Sequence, residues 1–236
     1  MRSRLDSLEM LANNLSNANT AGYKADREFY SLYESAESTG ETTLPVVEKN
    51  WIDLQQGLLH DTGKPLDLAL EGPGFFVTEG KAGLLYTRNG SFRLSQEGIL
   101  ETREGYPVRA VETSVATKDK RIHARPENGG SDLQIRGDGT VLQDGRTLGR
   151  LELASTKPDA MEKQPGGYFR FASDPKITAA IAKVHQGNLE SSNVGPAESA
   201  VRLVSILRQF EMLQKAVNLS AEMNRKAVEE VAKVTG

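Results

Sequence analysis

Between Ala197 and Thr235 the chain contains neither glycine nor proline, and that interval limits the fold more than any other stretch. Pro196 suits the first turn of a helix, where its missing N–H has no partner to lose. Behind it, Leu203, Phe210, Val217, Asn224 and Val231 recur every seven residues, with a second series at Ile206, Leu213, Ser220, Ala227 and Val234. All but Asn224 and Ser220 are apolar, and the seam persists for more than four heptads. Such a helix extends about 55–60 Å at 1.5 Å per residue, longer than a small domain needs to cover one face. It wants a partner helix.

The other end of the chain reads as a second helix, over residues 1 to about 20. Met1, Leu5, Leu8, Ala12 and Leu15 follow 4-3-4-3 spacing with Arg, Asp, Ser and Glu between them. It is expected to fail around Asn17 to Thr20, where cap- and turn-favouring residues crowd, and Gly22 can supply a left-handed exit. Asn13, Asn14, Asn17 and Asn19 fall within seven residues. Asparagine is a mediocre helix former, and buried amides need hydrogen-bond partners. A partner chain could supply them and fix a register; a frayed, solvated helix end is the other reading.

The middle of the chain has no room for long helices. Turn signals recur at Gly72-Pro73-Gly74, Asn89-Gly90, Glu97-Gly98, Glu104-Gly105, Gly129-Gly130, Asp138-Gly139, Asp144-Gly145 and Gly166-Gly167. Short runs such as Leu66-Asp67-Leu68-Ala69-Leu70 and Ser91-Phe92-Arg93-Leu94 alternate apolar with polar between them. This spacing predicts an antiparallel β-domain built of hairpins. Gln56-Gly57-Leu58-Leu59 near its start echoes Gln186-Gly187-Asn188-Leu189 near its end. The echo suggests neighbouring strands where the chain enters and leaves the domain.

Composition excludes several functions. There is no cysteine, so disulfides, thiol catalysis and thiolate metal sites are ruled out. Lys+Arg 29 against Asp+Glu 32 gives a net charge of −3, no electrostatic case for nucleic acid. No stretch approaches the roughly 20 apolar residues of a spanning helix, so membrane insertion is not expected. No apolar run follows Met1-Arg2-Ser3-Arg4-Leu5-Asp6, so a cleaved signal peptide is not expected either.

Catalytic motifs are equally scarce. Gly57 to Lys64 has the outline of a phosphate loop but one residue too many, and Pro65 stands where a magnesium-holding hydroxyl belongs. Gly72-Pro73-Gly74 lacks the third glycine of a dinucleotide fingerprint. His60, His123 and His185 are widely separated, so no metal site is expected. Acidic pairs such as Asp67 with Glu71 and Glu101 with Glu104 are what an acid-rich chain supplies by accident. Phe75-Phe76 and Tyr168-Phe169-Arg170-Phe171 read as β-core rather than a ligand groove. Arg88, Arg93, Arg103 and Arg109 read as a solvated mixed face. The expectation is a protein that is not an enzyme and holds no cofactor.

Against this background Ala12-Asn13-Asn14-Leu15-Ser16-Asn17-Ala18-Asn19-Thr20-Ala21-Gly22-Tyr23-Lys24 resembles the N-terminal signature of the bacterial flagellar axial proteins, the rod and hook subunits. Pro65 to Phe76 followed by Tyr86-Thr87-Arg88-Asn89-Gly90-Ser91-Phe92 is similar to that family's β-domain signature, which Gly98-Ile99-Leu100 and Gly105-Tyr106-Pro107-Val108 continue. Gln186 to Val194 resembles its entry to the C-terminal helix. The short connection between Tyr33 and Gln55 and Leu207-Arg208-Gln209-Phe210-Glu211 look most like the proximal-rod members, the distal-rod members next. Family members carry further residues ahead of the signature, so this chain is expected to lack the start of that helix.

The resemblance implies an α+β fold: an antiparallel β-rich central domain flanked by N- and C-terminal helices that pack as a coiled coil. It implies an assembly segment over 1–36, a β-rich rod domain over 37–190 and a C-terminal assembly helix over 191–236. The implied assembly interface comprises Leu5, Leu8, Asn13, Asn14, Leu15, Asn17, Asn19, Leu203, Ile206, Phe210, Leu213 and Val217. The implied partners are other rod subunits, further copies of the chain and the flagellar type III export apparatus. The implied place is the periplasmic rod of the basal body, reached without a cleaved signal, and the implied role is torque transmission. Two rival readings are a binding module, an adhesin-like β-domain on a coiled-coil stalk, and a periplasmic glycan-acting enzyme using paired carboxylates.

Overall fold

The computed structural model describes residues 2–33, 44–111, 119–125, 132–155, 161–171 and 178–234, with the side chains of 2–5, 29–33, 44–50, 178–179 and 227–234 outside the description. The turn expected at Gly129-Gly130 lies outside the described residues. The chain forms two compact units: Met1–Ser16, Asp26–Asn50 and Gly195–Gly236 make one, Asn17–Ala25 and Trp51–Val194 the other.

Helix α1 (Arg2–Ser16) is followed by strands β1 (Asp26–Tyr33) and β2 (Leu44–Ile52), which pair with each other. Next come β3 (Leu59–Asp61), β4 (Leu68–Glu71), β5 (Phe75–Gly80), β6 (Gly83–Thr87), β7 (Phe92–Leu94), β8 (Leu100–Thr102), β9 (Ala110–Val111) and β10 (Leu133–Ile135). The strands end with β11 (Thr140–Gln143), β12 (Arg146–Leu151), β13 (Leu153–Ser155), β14 (Met161–Gln164), β15 (Tyr168–Phe171), β16 (Thr178–Ala179), β17 (Lys183–Gln186) and β18 (Asn188–Glu190). Helix α2 (Pro196–Val234) closes the chain. The fold is α+β.

Within the larger unit a six-stranded sheet runs β14-β15-β6-β5-β13-β16 and a four-stranded sheet β10-β11-β12-β9, with two-stranded pairs β17-β4, β18-β3 and β7-β8. These pairings are antiparallel. Several hairpins turn where the dipeptides stand. Gln143 pairs with Arg146 across Asp144-Gly145, and both turn residues have positive φ, 50° and 75°, as a two-residue type I′ turn requires. Gln164 pairs with Tyr168 across Pro165-Gly166-Gly167, whose glycines also have positive φ. Asn89-Gly90 is different. It joins β6 to β7, which belong to different sheets, so it makes a corner and not a hairpin. The echo of Gln56 and Gln186 marks paired strands: Leu59 lies opposite Glu190 and Asp61 opposite Asn188.

Strand β5 is buried on both faces. Phe76 joins a core with Leu68, Leu70, Leu100, Val108, Leu151 and Val184, while Phe75 and Val77 point into a second with Tyr86 and Phe169. Successive strand residues alternate between faces. Phe76 meets Phe92 edge-on at 5.1 Å, and Phe75 meets Phe169 at 5.4 Å. Each side chain removed from water this completely contributes about 1.5–3 kcal/mol. The aromatic strings are core.

Candidate functional site

The three strings that carry the resemblance meet inside the larger unit. Turn 20–22 brings the chain out of α1, and Gly22 N–H donates to the carbonyl of Glu190 at 2.7 Å. Gly22 has φ +67°, and a Cβ there would stand 2.3 Å from the backbone carbon of Arg88. Only glycine lets these two backbones pass so closely. Gly90 has the same need, since its Cβ would lie 1.7 Å from the Leu68 carbonyl oxygen.

At the centre stands Glu190, completely buried. Lys24 Nζ donates to its Oε1 at 2.6 Å, and Arg88 Nη1 to its Oε2 at 3.1 Å. Lys24 is completely buried and Arg88 nearly so. The remaining hydrogen bonds tie in the neighbouring segments. Lys24 Nζ also donates to the Gln55 carbonyl at 2.6 Å, Gly57 N–H to Glu190 Oε1 at 2.9 Å, and Arg88 Nη2 to the Gly72 carbonyl at 2.6 Å. Asn193 repeats the pattern nearby: its Oδ1 accepts from Ala25 N–H at 2.7 Å and its amide donates to the Asp53 carbonyl at 2.8 Å. Ala25, Asp53 and Asn193, where the chain crosses the edge of this unit, are thus bonded to one another.

Burial pushes the pKa of Lys24 below its usual value, with Glu190 opposing the shift; Arg88 is lowered for the same reason. Buried charge survives only when paired and hydrogen-bonded. Arg88 therefore corrects the expectation of a solvated arginine face, which holds for Arg93 at the exposed surface, paired with Glu101 at 2.9 Å. Sequence reasoning did not single out Lys24 or Glu190, and it read Arg88 only as a surface residue. Each lies within a string already quoted, and a charge in an otherwise uncharged Gly/Asn run was the available signal.

In the smaller unit α1 packs on α2 and on β1. The buried stripe of α1 corrects the expected one. Ser7, Leu11 and Asn14 are buried, Leu8 and Leu15 are half-buried, and Ala12 is exposed. The stripe is turned by one position because Asn14 bonds to β1 as a neighbouring strand would. Its amide donates to the Asp26 carbonyl at 2.8 Å, and its Oδ1 accepts from Asp26 N–H at 3.0 Å. Asn17 caps the turn, its carbonyl accepting from Thr20 N–H at 3.0 Å. Asn13 and Asn19 are exposed. Leu5 is in α1, but its side chain lies outside the described residues.

Helix α2 changes character along its length. Ile206 is buried, and Leu203 and Phe210 are half-buried. From Glu211 to Lys226 every side chain is exposed, including Leu213 at 43% and Val217 at 53%. Among the described residues no group of three or more metal-ligating side chains is gathered, and no helix is long and apolar enough to cross a membrane.

Comparison with known proteins bears directly on the converging strings. Residues 4–24 match the model of the flagella basal body rod protein, residues 69–143 that of the flagellar hook protein FlgE/F/G D1 domain, and residues 185–230 that of the flagellar basal body rod FlgEFG protein C-terminal region. The flagellar basal-body rod protein FlgF of Caulobacter vibrioides is 31% identical, over 96% of this chain and 92% of its own length. The chain belongs to the FlgF family of flagellar basal-body rod proteins. FlgF of Salmonella typhimurium is 29% identical over 90% of this chain and 87% of its own length. FlgG, the basal-body rod protein of Buchnera aphidicola, is 28% identical over 93% and 92%. All three are named flagellar basal-body rod proteins, which supports neither the adhesin-like module nor the glycan-acting enzyme.

Proposed function

We propose that this chain is a structural subunit of the flagellar rod that assembles with its own copies and with other rod subunits through α1 and α2, and so transmits torque. The observation that carries this reading is the far part of α2, where Met212, Leu213, Val217, Leu219 and Met223 all face solvent in the single chain. An apolar stripe of this length on a helix without Gly or Pro is stable in water only when another helix covers it. Packing as a coiled coil between subunits would cover it. A head-to-tail interface of this kind does not close and generates a filament.

In this reading segments 1–36 and 191–236 are the assembly parts and 37–190 the rod domain. The assembly side chains are Leu5, Leu8, Leu15, Leu203, Ile206, Phe210, Leu213 and Val217, with Asn13, Asn14, Asn17 and Asn19 fixing the path out of α1. Ile206 and Asn14, already buried within the chain, set the helix pair that the other side chains extend. The subunit reaches the periplasmic rod through the type III export apparatus.

The test is motility with Leu213→Asp or Phe210→Asp in the chromosomal copy. The expected result is loss of swimming with the β-domain still folded in the purified variant. Normal swimming would remove this seam from assembly.

A further inference from the structure

Within the larger unit, next to the Arg88 corner, lies an open cavity of about 510 Å³. Its lining includes the polar residues Asn19, Thr20, His60, Asn89, Ser91 and Arg103, beside a few small or apolar ones. No carboxylate lines it. That is unusual in a chain whose acids outnumber its bases. Arg93, Arg109 and Arg121 are each bonded to a glutamate. Arg103 is not: its Nε donates to Ser91 Oγ at 3.0 Å, and among the described residues neither Nη has a protein partner. Ser91 Oγ in turn stands 3.4 Å from the buried Asp67 Oδ1, behind the wall. The guanidinium is thus held by its inner edge, and its outer fork is left for a ligand.

We infer that this cavity docks a carboxylate-bearing peptide segment of a neighbouring chain, with a Glu or Asp side chain taken by the Arg103 fork. Arginine matches a carboxylate with two parallel hydrogen bonds. The amides and hydroxyls around it suit the backbone groups of an extended peptide. The cavity is also far larger than a small anion needs, given about 30 Å³ for a water molecule. The inference rests on the rod-subunit reading only for the origin of the segment, another chain; the binding itself is measured on the isolated protein.

The experiment is fluorescence anisotropy of the full chain titrated with a labelled peptide of alternating serine and glutamate, and with its glutamine counterpart. Binding of the glutamate peptide alone is expected, weakening with added salt. Arg103→Glu should reduce affinity by at least about tenfold, a difference of about 1.4 kcal/mol. Asn89→Asp is the second variant. It keeps the oxygen that accepts Ser91 N–H at 3.0 Å and adds a negative charge to the wall, so it too should weaken binding while the fold is retained. Equal binding of both peptides, indifference to both variants, or no binding at all would overturn the inference. Displacement of the peptide by acetate at equal concentration would reduce the site to a small-anion site and overturn it as well. None of these outcomes touches the motility test of α2, so the two readings fail separately.

Discussion

The junction around Glu190 and the far half of α2 invert each other. At the junction three charged side chains are buried together, and each is held by partners more than a hundred residues away in sequence, Lys24 and Arg88 on Glu190. Along Glu211 to Lys226 apolar side chains are exposed one after another. The first region has spent its interactions within one chain. The second leaves its apolar side chains uncovered by the chain itself. A subunit that must be rigid by itself and adhesive to its neighbours needs both kinds of surface, and this chain keeps them in separate stretches.

The sharpest way to break the contrast is Glu190→Gln. The substitution keeps size but removes the carboxylate bonded to both Lys24 and Arg88, stranding two buried cations. Breaking a buried ion pair from one side costs about 3–5 kcal/mol, and urea unfolding should show a loss of that order. Adding Lys24→Met in the same chain removes one stranded charge and should recover part of the loss. If the double variant is as unstable as the single one, charge burial is not what holds the junction. Gly22→Ala comes next. It places a Cβ within 2.3–2.5 Å of Arg88 and Asn89 backbone atoms at φ +67°, so the backbone has to shift, at about 3 kcal/mol. A loss below about 1 kcal/mol, or a gain of the kind Gly→Ala gives where the backbone suits an L-residue, would mean that the crossing is loose.

How much of this was legible beforehand differs between the same two regions. Helix α2 could be read directly, because a helix is a local object and an interval without Gly or Pro states it residue by residue. Asp144-Gly145 was legible for the same reason: its two positive φ values are a property of two neighbours. The junction was not. Arg88 looked like any strand arginine, because its burial depends on Glu190, 102 positions away, and no periodicity encodes such a meeting. Asn14 was legible only as an amide that needs a partner or solvent; the pattern could not name Asp26 of the same chain, whose backbone bonding it completes.

The smallest expected effect tests the other side of the contrast. Leu219 is 60% exposed on α2, so Leu219→Ser removes little buried surface and should change the unfolding free energy of the purified chain by less than about 0.5 kcal/mol, as surface substitutions do. The replacement also lowers helix propensity slightly, which sets the direction as weakly destabilising. If that substitution instead cost as much as a core replacement, about 2–5 kcal/mol, the stripe on α2 would be covered in solution by a second chain. Repeating the measurement at several protein concentrations separates the cases, because stability that comes from association rises with concentration. A concentration-independent, near-zero change is the result expected of a helix whose apolar side waits for the rod.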